Sequence, residues 1–375
     1  MLAIFAENLC MKLRQIIDAI EAAAPLALQE SYDNSGLLLG NPDLDINGAL
    51  IALDLTDEVL DEAISTGYNL IITHHPLIFH PLKKLAGENR VSHLIVRAIR
   101  HNVALYAAHT SLDNAPQGVS HFMAKKLGLK NVRALLPAQN KLMKLITFVP
   151  HSHADAVRQA LFDAGAGHIS RYDQCSFNTE GFGTFRGSAD TSPFIGQPGQ
   201  LSREPEIRIE VILPVYRRNQ VMHALRQSHP YEEVAYDLVT LANDWQEAGT
   251  GVLGELPHPL SWREFLFLLR ETFHARVIRH SWPADRPILR IALCGGAGSF
   301  ALDAALQAGA DAFATADISY HYFQEAAGRL LLCDIGHYES EQFTSELLLS
   351  ILKDKLPTFA ARVARQPANP VNYFA

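Results

Sequence analysis

Short apolar segments alternate with helical segments at both ends of this chain, and this alternation restricts the fold more than any other feature. A predicted helix at 11–24 and a turn-rich segment come first, and regular alternation begins at residue 49. The order is then strand 49–55, helix 56–67, strand 68–75, helix 90–102 and strand 103–110. Thr56 is a suitable N-cap for the first of these helices, and Gly67 a suitable stop. Because the apolar runs are continuous, they predict a mainly parallel sheet covered on both faces.

The same order of elements returns near the C-terminal end. It runs strand and glycine turn 289–298, helix 299–309, strand 310–317, helix 318–329, strand 330–337 and a final helix 339–356. The segments ending in "NLIITHH" and "ADAFATAD" align by eye, as do "LYAAHTSLD" and "LLLCDIGHYESE". We interpret the two ends as an internal repeat of one βαβαβ unit.

The middle of the chain has a different order of elements. It runs strand 144–150, helix 153–165, a strand-rich stretch, strand 206–214, helix 216–229 and strand 234–241. This β-α-β-β-α-β order predicts a ferredoxin-like α+β domain inserted into the α/β domain. Two segments are rich in glycine, and we expect a mobile loop at 188–206 and a connector at 246–261. The predicted organisation is residues 1–140 and 244–375 as two halves of one α/β domain, with the insert at 141–243.

Composition excludes several classes of protein. Of the 375 residues, 48% are hydrophobic and 19% charged, which is typical of a globular chain. No apolar run approaches the roughly 18 residues of a membrane span, so we expect no membrane association. The net charge of −8 disfavours nucleic-acid binding as the main activity.

The cysteines and the N-terminal residues predict a cytoplasmic protein. The four cysteines are widely spaced and form no Cys-x-x-Cys pair, which argues against disulfides and thiolate zinc sites and fits a reducing compartment. The first residues have no basic start and no small-residue cleavage site, so they do not resemble a signal peptide. Met11 is the more natural start, with residues 1–10 as a short extension.

Histidines and carboxylates follow three of the predicted strands. His74 and His75 end one strand immediately before Pro76, Asp113 lies just past another, and the third motif is "GHYESE". At a strand's last residue the alternation of side chains breaks, so both imidazoles can project from the carboxyl edge of the sheet, where open α/β sheets bind ligands. A lone His-His pair is best interpreted as two polar residues that cap a strand in a loop. Three such groups at one edge instead predict a shared site.

The third motif supplies two further ligands. His337 and Glu341 are four residues apart and therefore share one helical face, whereas Glu339 is off that face and predicted to be solvated. Three imidazoles and two carboxylates form a set suited to Zn, Mn, Fe, Co or Ni. Five side chains exceed what one zinc ion takes and suit two metals with a bridging carboxylate. The predicted ligands of this dinuclear site are His74, His75, Asp113, His337 and Glu341.

Several motifs carry a resemblance to a known family. They are "DNSGL", "ITHHPLIF", "HTSLDNAPQGV", "DISYH" and "GHYESE". These segments resemble the motifs of the GTP cyclohydrolase I type 2 homologs, also called the NIF-three-like dinuclear metal-centre proteins. The resemblance implies that the same five residues hold two metals. Tyr32 and Ala316 depart from the family's usual Trp and Gly, which leaves the metal ligands unchanged and affects the shape of the substrate pocket.

The resemblance also implies an architecture and partners. The family's two-lobed α/β fold assembles as a toroidal homohexamer whose metal sites face an inner cavity. Its longer members carry an insert similar to the CutA and PII-type proteins, which residues 229–238 resemble. The expected partners are therefore other copies of the chain, a nucleotide or small-molecule substrate, and a partner protein.

Other polar residues near the predicted site have two interpretations each. His109 precedes Asp113 by four residues and can orient a ligand or carry a proton. His321 is expected near the same edge, either as a proton donor or as a helix cap. Asn34 is a candidate for substrate contact, although the Asp33-Asn34 pair can equally serve a turn. The glycine-rich segment 294–299 is best interpreted as a tight strand-to-helix turn, and next as part of a pocket wall. Its backbone N–H groups could also hold a phosphate, but the segment lacks the lysine of a P-loop.

Three functions are compatible with such a site. The first is a metal-dependent hydrolase acting on a nucleotide-like substrate, with GTP cyclohydrolase chemistry implied by the resemblance and metal-bound hydroxide as the nucleophile. The second is a non-catalytic metal-binding or regulatory assembly. The third is a two-metal phosphoesterase. The hydrolase is the predicted function and the other two are its alternatives, because a fold alone does not fix a function.

Overall fold

The computed structural model describes residues 10–365 and 369–374. The predicted extension at 1–10 lies outside the described residues except for Cys10. The chain folds into two compact units. Unit 1 comprises Met1–Leu136 and Glu247–Ala375, and unit 2 comprises Pro137–Gln246.

Strands and helices alternate in unit 1 as the sequence predicts. The first strands are β1 (Met11–Lys12), β2 (Gly36–Leu39), β3 (Asp45–Ile46), β4 (Ala49–Ala52), β5 (Leu70–Thr73), β6 (Ala104–Ala107) and β7 (Lys130–Ala138). Unit 2 contains β8 (Leu142–Pro150), β9 (Phe177–Phe185), β10 (Ser202–Pro214) and β11 (Tyr236–Leu241). The chain then continues with β12 (Trp245–Leu260), β13 (Arg279–His280), β14 (Ile288–Leu293), β15 (Ala312–Thr315), β16 (Leu331–Asp334) and β17 (Ala361–Val363).

The helices occupy the intervals between these strands. They are α1 (Leu13–Ala23), α2 (Asp57–Thr66), α3 (Arg90–Arg100), α4 (Thr110–Asp113), α5 (Val119–Lys126), α6 (Ala154–Asp163), α7 (Arg218–Ser228), α8 (Trp262–Phe273), α9 (Leu302–Gln307), α10 (Tyr320–Ala326), α11 (His337–Glu341) and α12 (Thr344–Lys355). No helix among the described residues is long and apolar enough to cross a membrane.

A five-stranded sheet forms the N-terminal half of unit 1. Its order is β17-β4-β5-β6-β2, in which β2 alone runs antiparallel to its neighbour. Leu50 and Ile71 of the strands pack with Leu60 of α2 and Leu94 of α3 in one buried cluster. The continuous apolar runs therefore become strands buried beneath helices, as the sequence predicts.

Helix α2 begins and ends at the predicted residues. The Thr56 hydroxyl accepts a hydrogen bond from the backbone N–H of Val59, which satisfies one of the free amides at the helix start. Gly67 has a φ of 73°, the left-handed conformation that closes a helix at low cost only for glycine. Such an N-cap contributes about 1 kcal/mol to helix stability.

A six-stranded sheet forms the C-terminal half of unit 1. Its order is β13-β16-β15-β14-β12-β7. Strands β14, β15 and β16 are parallel neighbours, as are β4, β5 and β6 in the other sheet. Phe313 of β15 packs with Leu302 of α9 and Ala326 of α10. The prediction of an α/β fold built from two related βαβαβ halves is confirmed.

Three parts of unit 1 differ from the sequence prediction. The glycine-dense segment 246–261 is not a connector, because it lies almost wholly in β12, which pairs with β14. The predicted final helix 339–356 is two helices, α11 and α12, separated at Gln342–Phe343. Strand β17 was not predicted, and it pairs in parallel with β4.

Unit 2 is an antiparallel sheet with two helices. The sheet order is β11-β8-β10-β9, and the chain order is β8-α6-β9-β10-α7-β11. Ile209 and Val211 of β10 pack with Val157 of α6 and Val221 of α7 in one buried cluster. This arrangement is the predicted ferredoxin-like order. The predicted loop at 188–206 is shorter than expected, since β10 already begins at Ser202.

Candidate metal centre

His74 and His75 follow the last residue of β5. The backbone N–H groups of both residues donate to the carbonyl of Leu53, and the Thr73 hydroxyl donates to the carbonyl of His75 at 2.8 Å. These bonds turn the chain away from the ladder while both imidazoles stay at the carboxyl edge of the sheet. His74 is fully buried and His75 is partly exposed.

The other predicted ligands come from two short helices that follow β6 and β16. Asp113 is the last residue of α4, and His337 and Glu341 are the first and last residues of α11. Glu341 is only 3% exposed. Because β6 and β16 occupy equivalent positions in the two halves, the repeat brings the two short helices to one place.

Glu341 lies at the centre of the cluster. Its Oε2 is 3.0 Å from Nε2 of His75 and 3.1 Å from Nε2 of His337. Its Oε1 is 3.6 Å from Nε2 of His74, which in turn is 3.7 Å from Oδ1 of Asp113. The ligand atoms therefore form two groups of three, each within 4.8 Å, and both groups share the Glu341 carboxylate.

Two buried atoms of this cluster have no hydrogen-bond partner among the described residues. They are Nε2 of His74 and Oδ1 of Asp113. Leaving such atoms unsatisfied costs about 1–3 kcal/mol each, so buried polar groups are normally paired. A nitrogen and a carboxylate oxygen facing each other without a partner fit a divalent cation between them once the imidazole is neutral.

The outer nitrogen of each imidazole is held by a hydrogen bond. Nδ1 of His74 bonds to the carbonyl of Ala108 at 2.7 Å, and Nδ1 of His75 bonds to Asp54 at 2.9 Å. Nδ1 of His337 bonds to Asp317 at 2.6 Å. Such bonds fix the ring orientation and the tautomer of a metal-ligating histidine, leaving Nε2 to coordinate.

The buried charges shift the pKa values of the cluster. Burial alone would lower the pKa of His75, but hydrogen bonds to Asp54 and Glu341 outweigh it and raise this pKa to about 10. The hydrogen bond to Glu341 raises the pKa of His337 to about 9 despite burial. Burial raises the pKa of Asp113 to about 6.

The pKa of Glu341 shifts in the opposite direction. Burial alone would raise its pKa, but the charge of His74 and hydrogen bonds from His337 and His75 hold the pKa of Glu341 well below its ordinary value. Protons on the imidazoles therefore balance the buried carboxylate when no metal is bound, and a metal ion must displace them.

His109 lies against the cluster as well. Its ring, with those of His74 and His75, forms a third group of close ligand atoms. Nδ1 of His109 bonds at 2.7 Å to Asp33, which also accepts hydrogen bonds from the backbone and hydroxyl of Thr110. Asp33 therefore positions His109 in addition to accepting the turn amide of Asn34.

The other two candidate residues lie outside the cluster. His321 is exposed near the start of α10, belongs to none of the ligand groups among the described residues, and has its ring beside Tyr320. Asn34 is exposed, and its side-chain amide donates to the carbonyl of Ile78 at 2.6 Å. Among the described residues, neither His321 nor Asn34 forms a hydrogen bond with a predicted metal ligand.

Sequence reasoning missed three neighbours of the site. Asp54, which holds His75, lies two residues past the end of β4, and a carboxylate at that strand end was the available signal. The role of Asp33 was hidden because its partner is 76 positions away. Glu339 was predicted to be solvated, but it is 4% exposed and accepts a hydrogen bond from Asn369.

The glycine turn after β14 is a wall of the site and not a phosphate cradle. The backbone N–H groups of Gly295, Gly296 and Gly298 already donate to side-chain hydroxyls of Ser120, Ser340 and Thr315. These three amides are therefore unavailable to an anion. A Cβ atom at residue 296 would come within 2.3 Å of Glu341 Oε1, so the turn requires glycine there.

A cavity of about 440 Å³ opens beside the cluster. Asp113, His337, Glu341 and His109 line it together with Tyr32 and Phe300. Tyr32 and Phe300 are 63% and 58% exposed, so two aromatic side chains are available to a ligand that enters this cavity.

Comparisons with known proteins identify the family. The family model described as Duf34/NIF3 (NGG1p interacting factor 3) matches residues 11–370. A Halalkalibacterium halodurans protein named GTP cyclohydrolase 1 type 2 homolog is 40% identical over 345 residues, covering 91% of this chain and 93% of that protein. A Bacillus subtilis protein of the same name is 34% identical over 365 residues, covering 96% and 98%.

Comparison with solved structures supports the same family. The Bacillus cereus protein related to NIF3 has a TM-score of 0.85 and 35% identity, covering 97% of this chain and all of that chain. The Staphylococcus aureus protein SA1388 has a TM-score of 0.74 and 29% identity, covering 97% and 99%. The chain described here belongs to the Duf34/NIF3 family.

Proposed function

We propose that this protein is a metal-dependent hydrolase that binds two divalent metal ions, each Zn, Mn, Fe, Co or Ni. The ligands would be His75, His337 and Glu341 for one ion and His74, Asp113 and Glu341 for the other. The observation that carries this proposal is the buried Glu341 carboxylate, which is shared by both groups of ligand atoms. A bridging carboxylate is typical of two-metal hydrolytic sites.

The residues around the cluster support proton transfer at the site. When bound, a pair of divalent ions would supply Lewis-acid activation of water and substrate. His109 lines the same cavity, and its Nδ1 is held by Asp33, so Nε2 is the ring nitrogen free to accept or donate a proton. We assign His109 this role. We assign none to His321, because it is exposed and lies outside the ligand groups.

The substrate class rests on the relatives and on the shape of the cavity. Relatives at 34–40% identity carry the name GTP cyclohydrolase 1 type 2 homolog, and we propose a nucleotide-like substrate on that basis. The exposed rings of Tyr32 and Phe300 at the cavity provide flat apolar surfaces against which a purine can stack.

Turnover of GTP by the metal-loaded protein tests this proposal. The protein is loaded separately with each of the five metals and incubated with GTP and with a generic phosphomonoester. The variant His75→Ala removes one ligand, and His321→Ala serves as the matched control because that histidine is exposed. GTP ring opening that is abolished in His75→Ala and retained in His321→Ala is the expected result.

Other outcomes separate the competing functions. Phosphate release without ring opening favours a two-metal phosphoesterase. Two metals bound per chain with no turnover of either substrate favours a regulatory metal-binding protein. A wild-type protein that binds none of the five metals contradicts all three.

We also propose that the chain assembles as a homohexamer, as its resemblance to the family implies. Exposed aromatic side chains of unit 1, such as the 80% exposed Trp282, are surfaces that subunit contacts would cover. Light scattering coupled to size-exclusion chromatography is expected to give six times the chain mass of 41.4 kDa. A monomeric mass would contradict this.

A further inference from the structure

Unit 2 contains a cavity of about 800 Å³ that the proposed function does not use. It lies on one face of the sheet formed by β8, β9 and β10. On β10, Ile207, Ile209 and Val211 face the helices, so the alternate residues Glu206 and Arg208 face the cavity.

Two glycines of β9 make room beside β10. Gly181 is paired with Glu206, and Gly183 is the next residue of β9 on the same face. A Cβ atom at Gly183 would come within 2.1 Å of Oε2 of Glu206, whereas one at Gly181 would meet no atom within 4 Å. The Glu206 carboxylate therefore occupies the space over Gly183, and open space remains over Gly181 on the same face.

Aromatic side chains form the walls of this cavity. Phe148, Phe185, Phe194 and Tyr231 line it. The rings of Phe185 and Phe194 have their centroids 5.8 and 6.4 Å from that of Tyr231. Rings in this arrangement offer flat apolar faces for a planar ligand.

A buried carboxylate lies among these rings. Glu206 is 7% exposed, and its Oε1 accepts a hydrogen bond of 2.8 Å from the Tyr231 hydroxyl. Burial and the hydrogen bond to Glu206 both raise the pKa of Tyr231, so the phenol remains a donor. Oε2 of Glu206 packs against Gly183, and its remaining lone pairs can accept further hydrogen bonds from the cavity.

The charges around the cavity favour a donor and not an anion. Four glutamates line it, against two arginines, Arg186 and Arg208, of which Arg208 is paired with Glu210 at 2.9 Å; the glutamates are Glu180, Glu206, Glu232 and Glu233. A carboxylate in an apolar cavity repels anions and accepts two parallel N–H groups well.

We propose that this cavity binds a flat aromatic ring that presents two adjacent N–H donors to Glu206. Guanine-type bases and aryl amidines share this chemistry. The ring would stack against Tyr231 and Phe185, and the paired donors would reach the Glu206 carboxylate.

Isothermal titration of the full chain with guanosine and with benzamidine tests this proposal and distinguishes the two sources. Inosine lacks the 2-amino donor of guanosine, and benzamide lacks the amidinium charge, so they are matched control ligands. We expect one of the two probes to bind and its control to bind about tenfold more weakly, as for loss of a hydrogen bond to a charged group.

Two variants test the contacts. Glu206→Gln keeps the acceptor for Tyr231 and removes the charge, and it is expected to weaken binding of the probe about tenfold to a hundredfold. A Cβ atom at Gly181 meets no atom within 4 Å, so we expect Gly181→Leu to fold and to lose binding of the probe. Circular dichroism verifies folding of both variants.

Three results would overturn the proposal. One is that neither probe binds to the wild-type chain. Another is binding that neither folded variant alters. If Gly181→Leu instead changes only the oligomeric state, measured by light scattering, the face is a contact between chains and the proposal is wrong.

Discussion

At the scale of single residues, Glu341 decides how the site is organised. Its two oxygens face two different groups of ligands, and each imidazole that faces it is held from behind by an outer acceptor. The sequence alone identified the five residues that come together. It could not identify the acceptors behind them, because a hydrogen-bond partner distant in sequence leaves no local pattern.

Asp54 and Asp33 are expected to have separable roles. Asp54→Asn weakens the bond that orients His75, so metal affinity should fall about tenfold to a hundredfold. Asp33→Asn changes the partner of His109, so turnover should fall while metal content stays at two per chain. Competition with a fluorescent chelator measures the affinity. Equal losses of metal in both variants would contradict the distinction.

Metal binding is expected to depend steeply on pH. The metal-free pKa values of about 10 for His75 and about 9 for His337 mean that both rings are protonated at pH 7. A metal takes the neutral ring, so binding releases at least the two protons of His75 and His337, and affinity rises about a hundredfold or more per pH unit between pH 7 and 8.5. Titration calorimetry in buffers of different ionisation enthalpy counts the protons. Binding without proton release would contradict these pKa values.

At the scale of elements, the sequence predicted the repeat because its signal is local. The apolar strands and the cap of α2 at Thr56 and Gly67 are readable from composition and spacing. Strand β12 was not predicted because its many glycines are typical of a connector. In the structure Gly249 and Gly251 take positive φ values within this paired strand. Strand β17 was missed because only its pairing with β4 defines it.

The turn after β14 is expected to be sensitive to substitution at one glycine. Gly296→Ala combines a positive φ of 60° with a Cβ atom 2.3 Å from Oε1 of Glu341. Gly67→Ala has a similar φ of 73° and open space, so it is the matched control. Both should lose about 1–2 kcal/mol of unfolding free energy from backbone strain. Gly296→Ala alone should also lose metal.

Urea unfolding and metal analysis of the two glycine variants provide the measurement. Retention of two metals per chain in Gly296→Ala would show that Glu341 can move without loss of the site, and would contradict the requirement for glycine in that turn.

At the scale of the whole molecule, the site is made by two distant parts of the chain. His75 and Glu341 are 266 positions apart and meet because the two halves of unit 1 present the carboxyl ends of their parallel strands at one place. The sequence predicted this meeting from the repeat and from the residue types at the strand ends. It could not predict the second cavity, because that cavity arises from the pairing of Gly181 with Glu206 across two strands.

The most direct test is a crystal structure of the metal-loaded chain with anomalous diffraction data at the metal's absorption edge. Two anomalous peaks per chain are expected, one among His75, His337 and Glu341 and the other among His74, Asp113 and Glu341. A single peak, or peaks away from these residues, would contradict a two-metal site that shares the Glu341 carboxylate.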